Sequence, residues 1–148
     1  MEQTYYYIII GALMFEYVLS TLSGILNMNS ITKEIPEGFK DHYDEDKYSK
    51  SQSYLKDKTR FGLFSGTFSL VVTLFVIHAE IFGILDVFVR QNASHPITSG
   101  LIFFGVLFII NDIINLPFSI YSTFVIEEKY GFNKTNWKTF LTDKLKGY

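Results

Sequence analysis

Twelve of the thirteen Lys and Arg residues lie in two segments, seven from Lys33 to Arg60 and five from Lys129 to Lys146, with Arg90 alone between them. The stretches left over are long, apolar and almost free of charge. A helix needs about 20 such residues to cross a hydrocarbon core roughly 30 Å thick. Tyr5–Leu26, Gly62–Val89 and Ile97–Ile126 each supply that length. Buried strands would run about 4–8 residues between turn signals. Spanning backbone must also satisfy its own hydrogen bonds, which again favours helices. The chain therefore reads as an all-α integral membrane module over residues 1–148, with three transmembrane helices. A charged loop over 33–60, its later part open to a helical reading that the loose spacing of Tyr48, Tyr54, Leu55 and Lys58 does not decide, and an amphipathic helix near 135–146 complete it.

Composition excludes several other classes. With no cysteine in 148 residues there is no disulfide framework, thiolate metal site or thiol nucleophile. A net charge of -2 gives no basic face for nucleic acid. The first span lacks a basic leading region and a small-residue cleavage site, so it reads as a retained helix and not a signal peptide. Lys and Arg concentrate in the 33–60 loop and the 129–146 tail, while the N-terminus and the 91–98 turn carry none. The positive-inside rule then puts the N-terminus outside and the loop and tail in the cytoplasm.

Polar residues interrupt the spans. Glu16, His78, Glu80 and Asp112 are ionisable groups in apolar surroundings, and Asn111 and Asn115, spaced i, i+4, share a helix face beside Asp112. An acid at mid-bilayer costs about 2.5–3.5 kcal/mol, so each needs a partner or water. Glu16, Glu80 and Asp112 are expected at similar depth, pointing inward, with no cation inside the spans to pair with them. Interhelical hydrogen bonding accounts for such residues equally well. His78-Ala79-Glu80 has the H-x-E spacing of a zinc deaminase but lacks the P-C-x-x-C partner. His42, His78 and His95 are scattered over loop, membrane and opposite turn. No metal site, nucleotide loop or nucleophile elbow is legible, and no catalytic residue is assigned.

The segment Leu116–Lys134 is the most specific. Pro117 should kink the third helix. Gly131 fits a left-handed helix C-cap, with Phe132 packing back on the last turn. Beyond it, Trp137, Phe140, Leu141 and Leu145 form an amphipathic stripe, capped by Asn133 or Thr135 and suited to the membrane interface. The paired acids Glu127 and Glu128 stand at a helix C-terminus, where the macrodipole disfavours them.

The pattern L-P-x-S-x-Y-x-x-F-V-I-E-E-K-x-G-F-N-K resembles the N-terminal half of type I CAAX prenyl proteases, and Tyr48–Phe61 does so more weakly. The residues carrying the resemblance are Pro117, Tyr121, Phe124, Glu127, Glu128, Gly131, Phe132 and Asn133. It implies a seven-helix zinc metalloendopeptidase around a water-filled intramembrane chamber. The zinc would sit on a His-Glu-x-x-His helix and a downstream Glu, none of it in this chain, so zinc is expected only in a full-length enzyme and not in residues 1–148. The partners implied are the lipid bilayer, the remaining helices and catalytic domain, and a prenylated or membrane-associated peptide substrate, with no nucleic acid. The location implied is a bacterial inner membrane or, in a eukaryote, the endoplasmic reticulum. Two other readings of the same residues are a free-standing three-helix scaffold and a small proton-relay or transport subunit.

Overall fold

The computed structural model describes residues 2–32, 34–35, 37–39, 44–93 and 95–148. Among these every regular element is helical: α1 (Glu2–Ser30), a short 3-10 turn (Glu37–Phe39), α2 (Glu45–His78), α3 (Ile81–Asn92), α4 (Pro96–Tyr121) running on into a π stretch (Ser122–Glu127), and α5 (Trp137–Gly147). Three helices are long and apolar enough to cross a membrane: residues Gln3–Ser30, Glu45–His78 and Pro96–Glu127.

The three spans expected from sequence are present, but two boundaries differ. Half of the expected 33–60 loop is helix. Asp44 caps α2, its carboxylate accepting the Lys47 amide at 3.0 Å, and Glu45 and Asp46 in the first turn suit the helix dipole. Residues 40–43 of that loop, with His42, lie outside the described residues. The expected second span, Gly62–Val89, is broken. At Ala79 the helix closes on the Phe75 carbonyl (2.8 Å), and Glu80 adopts a left-handed conformation with φ 55° and ψ 27°. The apolar run of α2 from Phe61 to His78 rises about 27 Å at 1.5 Å per residue, enough to cross by itself. α3 has 12 residues, too short to cross. Glu80 is thus a turn residue and not a mid-span acid.

α2 is the central element. α1 lies antiparallel along one side, where Gly24 lets the backbones approach: a Cβ there would come within 2.9 Å of the Leu63 side chain. Small residues at such a seam are the usual means of close helix contact in lipid. The Tyr17 hydroxyl meets Thr67 Oγ1 at 2.8 Å along the same seam. α4 lies antiparallel along the other side, with Phe118 set among Phe61, Phe64 and Phe68 at centroid distances of 5.0–6.2 Å. Little of this is a closed core: the most apolar windows of the three spans are 0%, 0% and 6% buried. Their outer faces are left for lipid or further helices to cover.

α5 also departs from expectation. Its cap is Asn136, not Asn133 or Thr135, and Asn136 Oδ1 accepts the Thr139 amide at 2.9 Å. It does not stand apart in the interface plane but folds back beside α4. Trp137 stacks on Phe124 (4.1 Å, 7° between planes), and Tyr148 at the far end meets Phe108 edge-on at 5.8 Å.

Candidate functional site

The Leu116–Lys134 segment forms an elbow that grips the charged half of α2. Pro117 removes one backbone donor inside α4, and the helix continues beyond it as the wider π stretch. Such π turns are frequent at functional positions. The helix then ends on Gly131 at φ 68°, as the sequence indicates. Its amide donates to the Glu128 carbonyl (2.9 Å), while the Phe132 and Asn133 amides both donate to the Glu127 carbonyl (2.9 and 3.3 Å). Only glycine, or less readily asparagine, takes that conformation at low cost.

Two ion pairs join the elbow to α2. Lys129 Nζ donates to Asp57 Oδ2 at 2.7 Å, and the buried Tyr130 hydroxyl donates to the same oxygen at 2.7 Å. Glu127 lies 3.5 Å from Lys58 Nζ, which also donates to the Tyr54 hydroxyl at 2.7 Å. The ring of Tyr54 is in turn edge-on to Phe132 at 4.8 Å and to Tyr130 at 5.6 Å. Lys129, first of all, and then Tyr130 hold the Asp57 carboxyl below its ordinary value, and Asp57 raises both of theirs. The pairs are partly exposed, so each is worth little alone. Their importance is geometric, because they fix the register of α4 on α2.

The family-pattern residues divide by partner. Glu127 reaches Lys58; Glu128 accepts from Asn133 Nδ2 at 2.9 Å; Tyr121 stacks on Phe61 at 4.8 Å; Phe124 carries Trp137 and Phe140. Phe132 packs edge-on against Tyr54 of α2. The clamp partners Asp57, Lys58, Tyr54, Lys129 and Tyr130 were not singled out by sequence reasoning. Tyr54, Asp57 and Lys58 fall in the weaker resemblance over Tyr48–Phe61, and Lys129 is the lysine of the stronger pattern, with no role legible for any of them.

The intramembrane polar residues do not converge. Asp112 has a cation after all: Lys144 Nζ of α5 donates to Oδ1 at 2.5 Å, and the Tyr148 hydroxyl donates to Oδ2. Asn115 Nδ2 donates to the Asn111 carbonyl (2.7 Å) and side chain (3.1 Å), so those two do share a face. Glu16 is exposed on α1, and Glu80 and His78 are exposed at the α2–α3 turn. Among the described residues no ion pair or hydrogen bond joins Glu16, Glu80 and Asp112. Nor do any three His, Cys, Asp or Glu side chains there come together as metal ligands. The described residues therefore do not fit a zinc ion, and no chemistry here runs through one.

Long uncovered helices, a proline-loosened third span and a polar elbow locked to its neighbour define an integral membrane helical module built to pack against more protein or lipid. Residues 25–148 match the family model described as CAAX prenyl protease N-terminal, five membrane helices. The probable CAAX prenyl protease 1 of Schizosaccharomyces pombe is 40% identical over 119 residues, covering 72% of this chain and 25% of that protein. CAAX prenyl protease 1 of Saccharomyces cerevisiae is 30% identical over 123 residues, covering 76% and 27%. The crystal structure of S. mikatae Ste24p aligns over 96% of this chain and 35% of its own, with a TM-score of 0.83 and 29% identity. The chain belongs to the CAAX prenyl protease N-terminal family. It spans about a quarter of the length of the curated relatives it matches.

Proposed function

We propose that residues 1–148 are one N-terminal membrane module of a zinc metalloendopeptidase that cleaves prenylated or membrane-associated peptides. In this reading the module walls part of a water-filled intramembrane chamber and leaves the zinc and its ligands to other parts of the enzyme. The motif residues Pro117, Tyr121, Phe124, Glu127, Glu128, Gly131, Phe132 and Asn133 hold the elbow that sets α4 on α2. The N-terminus is outside and the elbow cytoplasmic, in keeping with the seven Lys and Arg residues from Lys33 to Arg60 and with Lys129 and Lys134 at the elbow.

The observation that carries the chamber is Glu16. It lies within α1, exposed and, among the described residues, unpaired, where facing lipid would cost about 2.5–3.5 kcal/mol. Water on that face of α1 removes the penalty. The test places Glu16→Cys in the full-length protein on a cysteine-free background and adds a membrane-impermeant charged thiol reagent. Labelling at position 16 is expected. No labelling there, with Ser49→Cys reacting in the same preparation, would overturn the hydrated wall.

A further inference from the structure

Beside the clamp lies an open groove of about 310 Å³ between α2 and the π stretch. Its apolar walls are Phe61 and Phe64 on one side and Val125 and Ile126 on the other, with Arg60 and Lys129 among the lining residues. Because the two elements run antiparallel, both cations fall at the same end, toward the charged half of α2. Phe64 is 64% and Val125 46% exposed, so these two walls are uncovered, while Phe61 is half-buried and Ile126 lies buried at the floor. Lys129 is engaged by Asp57, but among the described residues Arg60 has no hydrogen bond or ion pair. Two cations against one carboxylate leave the groove with a net positive charge.

The height of the groove narrows the choice of ligand. Arg60 is the last charged residue before the uncharged run of α2, which is where a crossing helix passes from headgroups to hydrocarbon. A guanidinium at that level matches a phosphate in bidentate geometry, and an acyl chain matches the wall below it. A free phosphate would have no use for four apolar side chains. We propose that this groove binds one acidic glycerophospholipid, its phosphate on Arg60 and Lys129 and one acyl chain along Phe64 and Val125. The site goes beyond the chamber role and does not depend on it.

The test uses the full-length protein in nanodiscs of phosphatidylcholine carrying a minor fraction of phosphatidylserine with a photoreactive diazirine in its acyl chain. Crosslinks are mapped by peptide mass spectrometry against the same probe on phosphatidylcholine. Peptides holding Phe61–Phe64 or Tyr121–Ile126 should favour the serine lipid by about fivefold, the effect of one cation near an acidic surface. R60Q should abolish the preference and R60K should keep most of it, which separates lost charge from lost folding. Equal labelling by both lipids, or an R60Q protein that keeps the preference, overturns the site. Absence of crosslinks in the groove also overturns it, because another helix then fills the space. Excess soluble glycerophosphoserine should leave the preference intact; its loss would mean a headgroup site only. Displacement by a prenylated peptide would give the groove to substrate and likewise overturn lipid as the occupant.

Discussion

Gly131 is the hinge of the elbow, and replacing it isolates one energy term. At φ 68° an alanine is strained whatever the space around it. The space itself is free: a Cβ there would meet only Lys50 Nζ, at 3.6 Å, which is ordinary contact. No packing clash adds to the torsional cost of a left-handed L-residue, about 1–2 kcal/mol. That corresponds to a roughly 5- to 30-fold shift in the opening equilibrium of the local structure. The amides that report the opening are those of Phe132 and Asn133, which share the Glu127 carbonyl. Hydrogen exchange of a peptide over residues 128–136 in the full-length protein should therefore accelerate by that factor in Gly131→Ala. Gly131→Asn should lose less than half as much, because asparagine visits this conformation more readily. An alanine variant that exchanges like the parent, or an asparagine variant as damaged as the alanine one, would refute the torsional account.

The remaining predictions concern the clamp and the α2–α3 turn. Asp57 sits below its ordinary 3.8, so its contribution is present above that pH and fades as pH falls through the lowered value. Lys129 and Tyr130 sit above 10.5 and 10.0, so theirs is present below those values and fades as pH rises through the raised ones. Thermal unfolding against pH should give a plateau between these limits, and in Asp57→Asn the acid limb should flatten. An unchanged acid limb would remove Asp57 from the account. Tyr130→Phe should cost about 1 kcal/mol in the unfolding free energy, one hydrogen bond at a buried ring, and no loss would mean that the bond does not form. Glu80→Gly should raise stability by up to about 1 kcal/mol by relieving a left-handed glutamate, whereas destabilisation would give the carboxylate a partner in the complete protein.

The spans were legible because an uncharged run longer than about 20 residues admits few other structures. Gly131 was legible too, since a glycine after a helical stripe has one common use. The break at Ala79–Glu80 was not, because neither glycine nor proline marks it and a glutamate carries the positive φ. The start of α2 at Glu45 was hidden by a polar first half with no apolar periodicity, Tyr48, Tyr54 and Leu55 being too loosely spaced to reveal it. The motif was recognisable as a pattern, but its mechanical role was not. Glu127 and Lys129 meet residues 58 and 57, about seventy positions earlier, and no local rule encodes such a pairing. The contact of Phe132 with Tyr54 was hidden for the same reason, since its partner comes from another element.

Asp112 shows how a charge can be compensated deep in a span without a second charge on that span. It lies sixteen residues past Pro96 and fifteen short of Glu127, near the middle of the third crossing helix. A lysine placed inside α4 would add a further insertion cost of about 2.5–3.5 kcal/mol. Lys144 instead comes from α5, a separate helix, and reaches Asp112 from the side. Fifteen residues amount to about 22 Å of rise, so to make this contact α5 must descend well below the end of the π stretch. A helix that enters without crossing is tolerated at such depth only where protein or water covers its polar backbone ends. Leu141 and Leu145 are exposed on α5, while Lys144 turns inward to the acid. In the proposed reading the part-buried Lys144–Asp112 pair borders the water of the chamber, and the exposed Leu141 and Leu145 face apolar neighbours.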